Sequence, residues 1–143
     1  MTAPSAQIDV RAPRFAAGVT AAVLAVALLT SSGWLVAAQA AVFAIGAFAG
    51  LRVSPYGLAF RTLVAPRIGP VREREPEAPP RFAQLVGLAF AVVGATGYLL
   101  GAPVLGAVAT GFALVAALLN ATTGFCLGCE LYLIIRRAAP ARA

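Results

Sequence analysis

Two long uncharged runs, separated and flanked by charged segments, dominate the chain. From Phe15 to Leu51 no Asp, Glu, Lys or Arg occurs for 37 residues, and from Phe82 to Cys129 none occurs for 48. A continuous helix over the first run would be about 55 Å long at 1.5 Å per residue. The hydrocarbon core of a bilayer is only about 30 Å thick. Each run therefore predicts a hairpin of two membrane-spanning helices. Thr30-Ser31-Ser32-Gly33 supplies the first turn and Gly101-Ala102-Pro103 the second. The predicted spans are Phe15–Leu29, Trp34–Leu51, Phe82–Leu100 and Val104–Asn120. Trp34 falls at an interface, where its amphipathic ring is favoured. A helix from Val104 to Ile135 would reach about 48 Å, so a break is required near Thr122-Thr123-Gly124. The apolar piece that follows, ending in Arg136 and Arg137, is expected to turn along the membrane surface.

The polar segments complete the plan. Residues 1–14 read as a cytosolic N-terminal segment in which Pro4 and Pro13 are expected to prevent a helix. Residues 15–51 form hairpin 1. Residues 52–81 form a cytosolic linker with a possible interfacial helix over Tyr56–Val64 and a solvated Arg/Glu/Pro tract from Pro66 to Pro80. Residues 82–120 form hairpin 2, and residues 121–143 carry the Cys-x-x-Cys motif and an interfacial tail. A rival reading takes Arg11 and Arg14 as the n-region of a secretory signal cleaved at Ala38-Gln39-Ala40. The apolar run continues well past that site, and the second half repeats the pattern where no signal can lie.

Composition agrees. The chain of 143 residues is 61% hydrophobic and 11% charged, where soluble domains carry about 25% charged residues. The net charge of +6 comes from eleven arginines. They flank apolar runs without forming a dense patch, which favours lipid headgroups and topology over nucleic acid. Every charge lies in the N-terminal segment, the linker or the tail, so both termini and the linker should face the cytosol. With two cysteines and no histidine, a multi-bridge disulfide framework and a self-contained zinc site are excluded. Half a metal site, completed by a second subunit, is a minor alternative. No cofactor is implied.

The halves look duplicated in parallel. Pro13-Arg14-Phe15-Ala16 recurs as Pro80-Arg81-Phe82-Ala83, and Gly33-Trp34-Leu35 as Gly97-Tyr98-Leu99. Each hairpin ends in a polar or glycine break before an amphipathic piece: Ser54-Pro55-Tyr56-Gly57, then Phe125-Cys126-Leu127-Gly128-Cys129. The fold class is thus all-α: a four-helix polytopic membrane protein of two parallel hairpin repeats with short interfacial helices. Gly46-x-x-x-Gly50 and Gly97-x-x-x-Gly101 predict close helix approach, within the unit or between copies. Gln39 and Gln84 are expected to bond neighbouring helices. The glycosylation pattern at Asn120-Ala121-Thr122 would go unused on the cytosolic side, where these residues stabilise the break.

The candidate chemistry is Cys126-x-x-Cys129 with Glu130. Two thiols one helical turn apart share a face and approach the separation a disulfide needs. A cysteine at a helix N-terminus gains thiolate character from the dipole and free N–H groups. Glu130 opposes the thiolate by charge or shuttles its proton. The alternative is two buried cysteines packing a helix turn.

Arg14-Phe15-Ala16-Ala17-Gly18, Arg52-x-Ser54-Pro55-Tyr56-Gly57, Pro80-Arg81-Phe82-Ala83-Gln84 and Asn120-Ala121-x-x-Gly124-Phe125-Cys126-Leu127-Gly128-Cys129-Glu130-Leu131-Tyr132 closely resemble the domain-of-unknown-function family numbered 4395, small bacterial membrane proteins common in actinobacteria. The resemblance covers nearly the whole chain and brings no established activity. The Asn-x-x-x-Gly-x-Cys pattern is also similar to the membrane part of some rhodanese-associated proteins, which implies sulfur handling. The resulting expectation is a membrane protein presenting a cytosolic dithiol, with Cys126 attacking and Cys129 resolving. Its partner would be a thioredoxin-like or sulfurtransferase protein, by thiol–disulfide exchange or persulfide relay. The alternatives are a non-catalytic scaffold that recruits a soluble partner, and a small-solute permeation unit.

Overall fold

Pro13 does not keep the N-terminal segment out of a helix. In the computed structural model, which describes residues 7–139, α1 runs from Arg11 to Thr30. Pro13 stands in the first turn, where no helical partner for its missing N–H is required. Asp9 starts the helix, its carboxylate accepting from the Arg11 backbone N–H at 3.0 Å and from the guanidinium at 2.7 Å. That guanidinium holds the Asp9 carboxyl below its usual range. Just upstream, Gln7–Asp9 forms a short strand, β1, antiparallel to β2 (Arg74–Pro76), with Ile8 opposite Glu75. The flexible segment and the solvated linker expected from sequence are therefore corrected in part: the ribbon clasps one to the other. Pro4 lies outside the described residues. Glu75 bears the cost, its carboxyl raised by burial and by the nearby Glu73.

The first turn forms where expected. Ser31 is left-handed at φ 51°, and the Ser32 hydroxyl caps α2 (Gly33–Ala44) by accepting from Leu35 N–H at 3.2 Å. The helix widens into a π-helical turn over Ile45–Ala49 and stops at Gly50. The helix predicted within the linker is longer than expected: α3 (Pro55–Ala59), a π-helical turn at Phe60–Val64, and α4 (Ala65–Ile68). Then α5 spans Ala78–Leu99 and α6 Pro103–Thr123. Gly124 ends α6 at φ 79°, the predicted break, and α7 follows over Leu127–Ala138. Thr122 and Thr123 turn their hydroxyls back onto the carbonyls of Leu118 and Leu119, and Thr123 also accepts from Phe125 N–H.

Among the described residues three helices, α1, α5 and α6, are long and apolar enough to cross a membrane; the apolar helix Gly33–Ala49 is shorter. The four form a ring in which α1 touches α6, α6 touches α5, α5 touches α2, and α2 closes on α1. The core is made mostly of small residues: Ala27, Val36, Ala40, Phe43, Ala91 and Ala95 cluster at its centre. Small side chains let helix backbones approach, which stabilises contacts where lipid removes the hydrophobic drive. Gly97 shows this between α5 and α6, since a Cβ there would stand 2.5 Å from the backbone nitrogen of Gly106. Gly46 likewise admits Gln84. The second glycine of each spaced pair does something else: Gly50 and Gly101 have positive φ and end helices. The repeat expected for Gly33-Trp34-Leu35 and Gly97-Tyr98-Leu99 is not one of equivalent positions. Gly33 opens α2, Gly97 lies near the end of α5, and the Leu99 and Tyr98 side chains pack on Gly33.

Two arginines fix which helix ends meet. Arg14 at the start of α1 donates to the carbonyls of Ala121 and Thr122 at the end of α6. Arg81 near the start of α5 donates to the carbonyls of Ala47 and Phe48 at the end of the first hairpin, at 2.9 and 3.0 Å. A cation satisfies orphan carbonyls and complements the dipole at a helix C-terminus. Glu77 completes the second clasp, accepting from Leu51 N–H at 3.2 Å and facing Arg81 at 3.5 Å. The charged segments thus gather at one end of the bundle and the two uncharged turns at the other. Arg81→Ala should cost about 1–3 kcal/mol, since hydrogen bonds to charged groups are the stronger kind. The loss would be read as a lowered melting temperature in detergent, with Arg81→Lys recovering part of it.

Candidate functional site

Leu127 starts α7, so the residue before it is the N-cap. That residue is Cys126, in extended backbone, and its sulfur accepts from the Cys129 backbone N–H at 3.1 Å. The one-turn spacing brings the Cα atoms to 5.1 Å, and the two sulfurs are bonded as a disulfide. The pair is half-buried, flanked by exposed Phe125 and Glu130, with exposed Leu127 between the two cysteines. Glu130 stands in the first turn of α7, where an acid complements the dipole. Its backbone N–H donates to the Cys126 carbonyl at 3.0 Å. Among the described residues no group of three or more His, Cys, Asp or Glu is arranged to hold a metal ion.

Gly128 presses α7 onto α5. A Cβ there would meet the Cα and Cβ of Ala83 at 2.6 Å. Tyr132, one turn on, packs at a tilt against Phe82 with ring centroids 5.7 Å apart, and the Arg136 guanidinium lies 5.9 Å from the Tyr132 ring centroid. The motif's glycine and the tyrosine after it are therefore docking contacts that hold the disulfide against the start of α5.

The first half builds the same arrangement without thiols. Ser54 is the N-cap of α3, its hydroxyl accepting from Gly57 N–H at 3.1 Å. Six residues after it, Phe60 packs at a tilt against Phe15 at 5.8 Å, as Tyr132 does against Phe82 six residues after Cys126. Cysteine thus stands at the cap that serine holds in the other half.

A cavity of about 420 Å³ opens inside the ring toward the charged end. It is lined by Thr20, Phe43, Phe90 and Phe112 and, at the charged end, by Asp9, Arg52, Arg61 and Arg74, with Cys126 and Leu127 in the wall. Cys129 and Glu130 are not part of that lining. Gln84 and Asn120, which the sequence marks only as structural groups, both line the cavity. Gln39 does bond across helices: its amide donates to Thr20 at 3.4 Å and accepts from the Tyr56 hydroxyl at 2.6 Å. The cavity has no signature along the chain, because its walls come from α1, α2, α5, α6 and α7 at once.

A helical protein with three helices fit to cross a membrane, a ring of small-residue contacts and one local disulfide is the class these features define. The family model described as "Domain of unknown function (DUF4395)" matches residues 8–137, so the chain belongs to that family. No curated protein and no solved structure matches the chain.

Proposed function

We propose that this is a four-span membrane protein of two parallel hairpin repeats whose Cys126–Cys129 pair performs thiol–disulfide exchange with a soluble thioredoxin-like or sulfurtransferase partner. The observation that carries the reading is the disulfide at the N-cap of α7. There the Cys129 N–H already points at the Cys126 sulfur, the arrangement that stabilises a thiolate when the pair is reduced. Cys126 is the attacking thiol and Cys129, one turn along the helix, resolves the mixed disulfide. When the partner brings the electrons, its thiolate attacks the disulfide, and a second partner thiol releases the reduced pair and leaves the partner oxidised. Persulfide relay uses the same nucleophile and is the second form of the reaction.

The repeat is supported by the matched clasps of Arg14 and Arg81 and by the matched caps of Ser54 and Cys126. One half serves as scaffold and the other carries the chemistry. Orientation follows from charge: the arginines of the described residues fall in the segments at one end, so that end faces the cytosol of a bacterial inner membrane, with both termini inside. The amphipathic α7, ending in Arg136 and Arg137, then lies along the inner leaflet.

The test is differential alkylation. In inverted membrane vesicles treated with a reductant, a membrane-impermeant maleimide should label both cysteines, and in right-side-out vesicles neither. Cysteines that resist labelling in reduced inverted vesicles, or that label from outside, would end the proposal.

A further inference from the structure

We propose that the cavity behind Cys126 binds a membrane-soluble quinone and that this quinone takes the electrons of the reduced Cys126–Cys129 pair. The inference rests on the redox reading above and names the small-molecule substrate of the same site. The first argument is position. Cys126 belongs to the cavity wall, so a molecule in the cavity lies against the residue assigned as nucleophile.

The second argument is the chemistry of the lining. A cavity of about 420 Å³ falls within the usual range for small-molecule sites, roughly 300–1,000 Å³. Apolar and aromatic walls suit a ring, and the amides of Gln84 and Asn120 are donors for ring carbonyls. Phe90 and Phe112 pair at 6.1 Å between α5 and α6, and they are 38% and 62% exposed while lining the cavity. That is where an isoprenoid tail would pass into lipid. At the charged end, Arg52, Arg61 and Arg74 stabilise the negative charge that develops as a quinone is reduced.

The third argument is the need for an oxidant. A pair reduced by a soluble thiol partner can turn over again only if electrons are then removed from it. The step balances: the Cys126 thiolate adds to the quinone ring, Cys129 attacks the Cys126 sulfur, and the ring leaves as the hydroquinone dianion and takes up two protons. The dithiol loses two electrons and the quinone gains them.

The experiment uses the full chain in lipid nanodiscs free of quinone, reduced with a phosphine that is then removed. The probe is a fully substituted benzoquinone with one isoprenoid unit, which cannot be permanently arylated by a thiol. The expected result is one hydroquinone formed and one dithiol lost per chain, at a rate that saturates with quinone. The redox-inert dimethoxy analogue of the same ring should slow it. Ala116→Phe, which fills the cavity from α6, should lower the ratio of quinone-driven to glutathione-disulfide-driven oxidation at least tenfold. Oxidation by glutathione disulfide but not by quinone would overturn the quinone site and leave the exchange reading standing. An unsaturable rate that neither the analogue nor Ala116→Phe alters would also overturn it. A pair inert to both oxidants would overturn both.

Discussion

In cells expressing Cys129→Ser protein, a mixed disulfide between Cys126 and a soluble partner is expected to accumulate, while the Cys126→Ser protein forms none. The asymmetry follows from where the two sulfurs stand. Cys126 is the N-cap, lines the cavity and receives the Cys129 N–H at 3.1 Å. Cys129 lies inside the first turn of α7, so it reaches a partner sulfur only after Cys126 has bound it. Removing the resolving thiol leaves the mixed disulfide no intramolecular exit. The measurement is a mass-shifted band in membranes quenched with acid and an alkylating agent, lost on reduction. Turnover should fall to background in both variants. Equal trapping through either cysteine would reverse the assignment, and trapping through neither would remove the exchange function. The fold should survive both changes, because Ser54 holds the equivalent cap in the first half with the same 3.1 Å bond.

Gly97→Val is expected to abolish the folded protein. Its Cβ would stand 2.5 Å from the nitrogen and 2.9 Å from the Cα of Gly106, and 3.1 Å from the carbonyl oxygen of Ala102. These are backbone atoms of the facing segment, so no side chain can rotate away and α5 and α6 must separate. Overpacking in a core usually costs about 1–3 kcal/mol, and a backbone collision belongs at or above the upper end. Folded proteins hold only about 5–15 kcal/mol in total. Gly111 is the control. It lies in α6, and a Cβ added there would have nothing within 4 Å, so Gly111→Ala should stabilise by about 0.5–1 kcal/mol through helix propensity. Monodisperse yield and melting temperature in detergent separate the two. A Gly97→Val protein that melts like the parent would refute the close crossing.

Much of this architecture was legible because lipid imposes simple rules. Uncharged runs too long for one crossing must turn, and Thr30-Ser31-Ser32-Gly33, Gly101-Ala102-Pro103 and Gly124 supply turns chemically suited to do so. The break before Cys126 was readable for the same reason, and with it the N-terminal placement of the thiol. The Arg14 and Arg81 motifs stand out along the chain, but their partners do not. Each arginine clasps the far end of the other hairpin, at separations of 107 and 34 residues. Pro13 was misjudged because a proline's effect depends on its place in the helix, and the helix starts two residues before it, at Arg11.

The helices, their turns and the position of the two thiols at a helix start were thus written in the chain alone, because they depend on local propensity and on the length of apolar runs. Three-dimensional packing was needed for the order of helices around the ring, the ribbon joining residues 7–9 to 74–76, and the cavity in whose wall Cys126 lies. Those depend on which small residues let backbones touch, as at Gly97 and Gly106, and contact between distant segments leaves no periodic trace along the chain.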